Sequence, residues 1–190
     1  IGAAGVNFSS VSANGAATGI SLTNVASSGG AVALGTVNLQ GVTSRGVDVS
    51  GTLGAALSFN SLAIGLNDNA AVAFDLNGAT LSAGITANDF DVTNAAAAGT
   101  SVGVDLRGAT GGQTVRLGDA VAGGASSSIA GVNTGVFLSS TTNLAFIYGD
   151  GESATDQLST ISANVGIDAS SAPTLGTYNF KDVNFQALKT

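Results

Sequence analysis

Three carboxylates recur at one position of a repeated string. Asp48, Asp75 and Asp105 each stand third in Gly46-Val47-Asp48-Val49, Ala73-Phe74-Asp75-Leu76 and Gly103-Val104-Asp105-Leu106. If successive copies stack in register, the side chains form a row of like charges about 5 Å apart, which repel unless something offsets them. Two chemistries suit such a row. A divalent cation such as Ca²⁺ would take the carboxylate oxygens as ligands. Alternatively the acids sit in water at the surface, with Arg45 or Arg107 near enough to offset them, which is the ordinary situation of charged side chains. A second acidic group, Asp150, Glu152 and Asp156, surrounds Gly149 and Gly151. Gly-Asp-Gly-Glu suits part of a calcium loop, but its spacing matches neither an EF-hand nor the glycine-rich nonapeptide of calcium-binding solenoids. An acidic turn capping a following helix is the preferred reading, since helix N-termini favour carboxylates. Calcium is the one cofactor these residues suggest.

Other chemistry is thinly supplied. The sequence holds no Cys, His, Met or Trp. That excludes zinc fingers, thiol catalysis, iron–sulfur sites, His-ligated haem and His-based triads. No Gly-x-Gly-x-x-Gly or Gly-Lys-Ser/Thr string is present, so Gly111-Gly112 and Gly123-Gly124 read as loops rather than phosphate cradles. Paired carboxylates can cleave glycosides, yet no pair here is marked over another and no aromatic cluster would stack a sugar. The chain does not read as an enzyme. Five Lys+Arg against twelve Asp+Glu, a formal charge of −7, exclude a generic nucleic-acid binder. No stretch reaches the roughly 18 apolar residues of a membrane helix. Two Tyr and no Trp are too few for the aromatic girdles of a transmembrane barrel.

The elements that position these residues are short strands. One string runs Gly19-Ile20-Ser21-Leu22-Thr23-Asn24 and returns from Gly46 to Gly51, Ala73 to Gly78, Gly103 to Gly108 and, more loosely, Gly135 to Ser140. The interval between successive starts is even at first and lengthens slightly along the chain. A second string, Val6-Asn7-Phe8-Ser9-Ser10-Val11, returns at Val37–Val42, Leu57–Leu62, Ile85–Phe90 and Tyr178–Val183. Both alternate apolar and polar residues, as half-buried strands do. In the second the alternation skips from Phe8 to Val11, and a bend there returns both to one side. Gly and Asn at the string ends supply the positive φ that bends need.

Strand, bend and strand repeated at so regular an interval predict an all-β chain, a β-solenoid (parallel β-helix) with a stacked interior. The alternative is a Gly/Ala-rich antiparallel β-sandwich with strand donation. The repeat loosens after residue 112, which divides the chain into a repeat-containing domain, 1–112, and a less regular C-terminal extension or cap, 113–190, that can belong to the same domain. Within that extension Leu158, Ile161 and Val165 are spaced for a helix over 152–163.

A solenoid end, or a sandwich lacking a strand, exposes unpaired N–H and C=O groups that template another chain. Val6, Phe8 and Val11 are the expected contact at one end, as a donated strand. Tyr178, Phe180, Val183 and Phe185 are the expected contact at the other.

The phrases Thr18-Gly-Ile-Ser-Leu-Thr-Asn-Val25 and Leu57-Ser-Phe-Asn-Ser-Leu-Ala-Ile-Gly65 resemble coils of secreted bacterial surface proteins, both autotransporter-type passengers and filament or pilus proteins. Phe74-Asp-Leu-Asn-Gly78 is similar to strings in the outer domain of flagellins, though the helical segments that polymerise flagellin are absent. The resemblance implies an exported, extracellular protein with a structural or adhesive role. It fits the start at Ile1, which reads as a processed or excised chain. The expected function is a subunit that assembles with copies of itself into a surface filament or layer. The alternatives are a monomeric adhesin or passenger fragment contacting a host or neighbouring cell, and a carbohydrate-binding module.

Overall fold

The structure, a computed structural model, describes residues 1–97, 99–119, 125–140, 142–149, 158–170 and 175–187. These residues form a β-solenoid of about six turns whose strands lie on three faces. The first face stacks β1 (Val6–Asn7), β4 (Val32–Ala33), β7 (Leu57–Phe59), β11 (Ile85–Ala87), β14 (Thr114–Leu117), β16 (Thr142–Gly149) and β18 (Leu175–Lys181). The second stacks β2 (Ser10–Asn14), β5 (Thr36–Val42), β8 (Ser61–Leu66), β12 (Phe90–Asn94), the first halves of β15 (Ser128–Phe137) and β17 (Ser159–Asp168), and β19 (Val183–Ala187). The third stacks β3 (Thr18–Val25), β6 (Arg45–Leu53), β9 (Val72–Asp75), β13 (Val102–Asp105) and the second halves of β15 and β17. The short β10 (Thr80–Leu81) pairs with the end of β6. Every described pairing is parallel, which removes the antiparallel sandwich.

The sequence repeats are the register of this stack. Ile20, Val47, Phe74, Val104, Val136 and Ile167 are successive partners on the third face. Each of the five third-face strings ends on a residue with positive φ: Asn24 at 50°, Gly51 at 65°, Gly78 at 71°, Gly108 at 64° and Ser140 at 55°. That left-handed residue turns the chain out of the third face, and Gly adopts it without steric cost. On the first face the column is Val6, Val32, Leu57, Ile85, Val115, Phe146 and Tyr178. The two-residue skip in the second string falls at the corner between the first and second faces. One copy is out of phase: Val37–Val42 lies wholly on the second face, and the second coil's corner is Val32-Ala33-Leu34-Gly35-Thr36-Val37.

The core is a column on the solenoid axis. Phe59, Phe74 and Phe90 come from the first, third and second faces and meet edge to face, with ring centroids 6.4 and 6.0 Å apart. Each buried side chain of this size contributes roughly 1.5–3 kcal/mol. Further along, serine replaces the apolar group at one corner. The Phe90 N–H donates to Ser127 Oγ and the Ser127 N–H to Ser159 Oγ, each over 3.1 Å, so buried hydroxyls tie one coil to the next.

The described residues between 113 and 187 carry the same ladders onward, with β15 and β17 running through a corner as single strands. The expected helix is corrected. Residues 159–163 belong to β17, where Ser159, Ile161 and Ala163 are buried in alternation. Leu158 is 51% and Val165 40% exposed, so the spaced apolar residues do not share a side. β-branched residues beside an open strand edge gain a ladder there, which outweighs a weak helical period. Residues 152–157 lie outside the described residues. None of the described residues forms a helix long and apolar enough to cross a membrane.

Candidate functional site

The aspartate row exists, and its neighbours explain it. Asp48, Asp75 and Asp105 are register partners, continued by Phe137 and Asp168. They point outward, yet Asp75 and Asp105 are only 4% and 1% exposed. Arg45 Nε lies against Asp75 and 3.7 Å from Asp48. Arg107 grips Asp105 with Nε 2.9 and 3.0 Å from its two oxygens, and its guanidinium stacks on Phe137 at 4.3 Å. These hydrogen bonds raise the pKa of both arginines further above its usual value.

The carboxylates also build the corner. Asp75 accepts from the Asn77 N–H at 2.9 Å, Asp105 from the Arg107 N–H at 3.0 Å and Asp168 from the Ser170 N–H at 3.0 Å. This is the Asx turn, in which a carboxylate binds the backbone two residues on. Ser170 holds the Asp168 carboxyl below its usual range. At Asp75, Asp105 and Asp168 the row therefore has a structural cause in the corner, whereas Asp48 sits inside β6 near Arg45. Among the described residues no three His, Cys, Asp or Glu side chains gather as a metal group. Asp150, Glu152 and Asp156 lie outside the described residues.

The expected assembly contacts fall at the two ends of the solenoid. Val6, Phe8 and Val11 belong to the first coil, where β1 and β2 pair with β4 and β5 and, among the described residues, on that side only. They are seated in the chain's own sheets rather than held as a separate strand. With Ile1, Ile20 and Leu22 they line an open apolar cavity of about 470 Å³, which is the solenoid interior seen from its first coil. Phe8 is 50% exposed on its rim. Ile1 ties this rim down: its backbone nitrogen donates to the Ala26 carbonyl, and its carbonyl accepts from the Ser28 N–H at 2.9 Å.

The other end carries rings. Among the described residues β18 and β19 each pair on one side only. Phe180 packs against Phe146 at 5.8 Å, Tyr148 at 6.4 Å and Phe185 at 6.0 Å. Tyr178, Phe180 and Val183 are half-buried, and Phe185 is 48% exposed. Beneath them Tyr148 donates to the Thr160 carbonyl at 2.9 Å, and burial pushes its phenol pKa far up, keeping it protonated.

Sequence reasoning missed Ile1, Ile20 and Leu22 as members of the mouth, and Asp168 as a member of the row. It also missed a plain signal: no charged side chain precedes Arg45. Protein-family models, curated proteins and solved structures give no match to this chain.

Proposed function

We propose that the chain is a structural subunit of an extracellular assembly on a bacterial surface, one that grows as copies stack on one another through their solenoid ends. The observation that supports this reading is that, among the described residues, β1 and β2 in the first coil and β18 and β19 in the last each pair on one side only. At each, strand edges and interior side chains face outward together. Edge strands that stay solitary are usually blunted by Lys, Pro or a bulge that twists the edge away. The first coil has neither Lys nor Pro. Two different ends that fit each other make a heterologous contact, and such contacts propagate into filaments when the rotation does not close.

Negative-stain electron microscopy and sedimentation velocity at rising protein concentration test this. Filaments with an axial repeat of about 34 Å, one step of about 4.8 Å for each strand of the seven-stranded first face, are expected. Discrete rods at every concentration would overturn the proposal and turn attention to an adhesive monomer.

A further inference from the structure

We infer that Arg116 anchors an oxyanion site on the outer surface of the first face, which takes a sulfate, phosphate or carboxylate group on the guanidinium fork. The site is independent of the self-assembly reading. Arg116 stands in β14 between Val115 and Leu117, whose side chains lie in the core, so its own side chain leaves the solenoid outward. β11 flanks this strand on one side and β16 on the other, which sets the site within the stack and away from either end. Its register partners on those strands, Thr86 and Ile147, carry no charge.

Arg116 is half-buried, and its Nη1 is buried with no hydrogen-bond partner. Arg45 and Arg107 are tied to Asp48, Asp75 and Asp105, whereas among the described residues no carboxylate pairs with Arg116. This is so in a chain that has twelve Asp+Glu to offer. A guanidinium cannot shed its proton, and a buried charged nitrogen without an acceptor destabilises the fold. An oxyanion from outside supplies the acceptor and the opposite charge together, across two parallel N–H groups.

The distribution of charge points the same way. The strands of the first face contain Arg116 and Lys181 and no Asp or Glu. Those of the second contain Asp91, and those of the third contain Asp48, Asp75, Asp105 and Asp168 against Arg45. On an acidic molecule the first face is the side that an anion can approach. An open hollow of about 420 Å³, lined in part by Asn143, Ala145 and Thr177, adjoins the site, for Ala145 is the register partner of Thr114, two residues before Arg116. It gives room for the body of an organic anion, to which Asn143 and Thr177 offer amide and hydroxyl groups.

The parent and Arg116→Met, compared in sodium sulfate and in sodium chloride at equal ionic strength, test this. In chloride the variant should be at least as stable to urea, since it removes an unpaired buried nitrogen. In sulfate the order should reverse, because the anion stabilises only the protein that binds it, while its general salting effect is common to both. Isothermal titration calorimetry should show sulfate binding at least tenfold weaker in Arg116→Met, with Arg116→Lys between the two. Polygalacturonate and its methyl ester then separate the sources of the oxyanion. Tighter binding of the acid polymer than of sulfate, lost in the ester, assigns the site to a carboxylate borne on a polymer; binding no tighter than sulfate assigns it to a free ion. An equal response of parent and variant to sulfate would overturn the proposal, as would a variant less stable than the parent in both salts.

Discussion

Arg107 gives the sharpest test of what the aspartate row does. Asp105 is 1% exposed, and Arg107 supplies its counter-charge. Arg107→Met keeps the length of the side chain and removes the charge. Stripping one partner from a fully buried ion pair costs about 3–5 kcal/mol. The Arg107 side chain is 40% exposed, so water reaches the vacated place and the cost falls to about 2 kcal/mol. Losing the guanidinium over Phe137 adds about 0.5–1 kcal/mol. The expected loss is about 2–3 kcal/mol. With a urea slope of about 2 kcal/mol/M, that lowers the unfolding midpoint by about 1–1.5 M. The double variant Asp105→Asn/Arg107→Met should recover most of this. Asn can still accept from the backbone N–H of residue 107, and no buried charge remains uncompensated. Urea titrations followed by far-UV circular dichroism measure all three proteins. A single variant within about 0.5 kcal/mol of the parent, the range of an ordinary surface change, would refute the ion-pair account. So would a double variant no better than the single.

Other outcomes follow from the same geometry. Phe74→Ala opens a hole where three rings meet and should cost about 3–5 kcal/mol, against about 1 kcal/mol for Phe74→Leu, both read by urea unfolding. Gly78→Ala meets only backbone strain, with φ at 71° and open space around it, and should cost about 1 kcal/mol. Gly35→Ala, at φ 59°, sets a Cβ 2.2 Å from the Ser9 carbonyl oxygen and should cost several-fold more in the same assay. Burial, then repulsion from Asp91, holds the Asp89 carboxyl above its usual range. A raised carboxyl pKa penalises the folded state where the group is ionised. Asp89→Asn should therefore raise the melting temperature at pH 7, and the gain should vanish below about pH 4 as both states become neutral.

The third face was the most legible part of the sequence. The near-even spacing of its strings became the strand register, and the terminal Gly or Asn of those strings became the left-handed corner. The row of Asp48, Asp75 and Asp105 was readable as a row, but its burial was not. A side chain that points out of a strand is covered or bare according to its neighbours in adjacent coils, here Arg45, Arg107 and Phe137. The Val37 string was misphased because a run of Val, Asn, Leu and Gly alternates equally well beside a corner or along a flat face. The helical reading failed over 158–163 for a related reason. Leu158, Ile161 and Val165 satisfy a helical period in isolation, while β15 offers a partner strand that the local sequence does not reveal. The apolar strings at the two ends were readable locally, but the mouth needed the coil closure that brings Ile1, Ile20 and Leu22 to Val6.

If copies stack as proposed, the uncharged first coil has a kinetic consequence. The second coil carries only Arg45 and Asp48, which offset each other. The next carboxylates, Asp68 and Asp75, belong to the third coil, about 10 Å down the axis from the mouth at two strand spacings. That distance is about one Debye length at physiological salt. The first two coils therefore act as a dielectric spacer, keeping the chain's formal charge of −7 out of reach of a partner arriving at the mouth. Without a field to steer it, encounter is limited by orientation, with rate constants near 10⁵–10⁶ M⁻¹s⁻¹, roughly those of a neutral pair. Elongation should slow when salt is removed and the screening length grows past the spacer, and it should change little as salt rises above the physiological level.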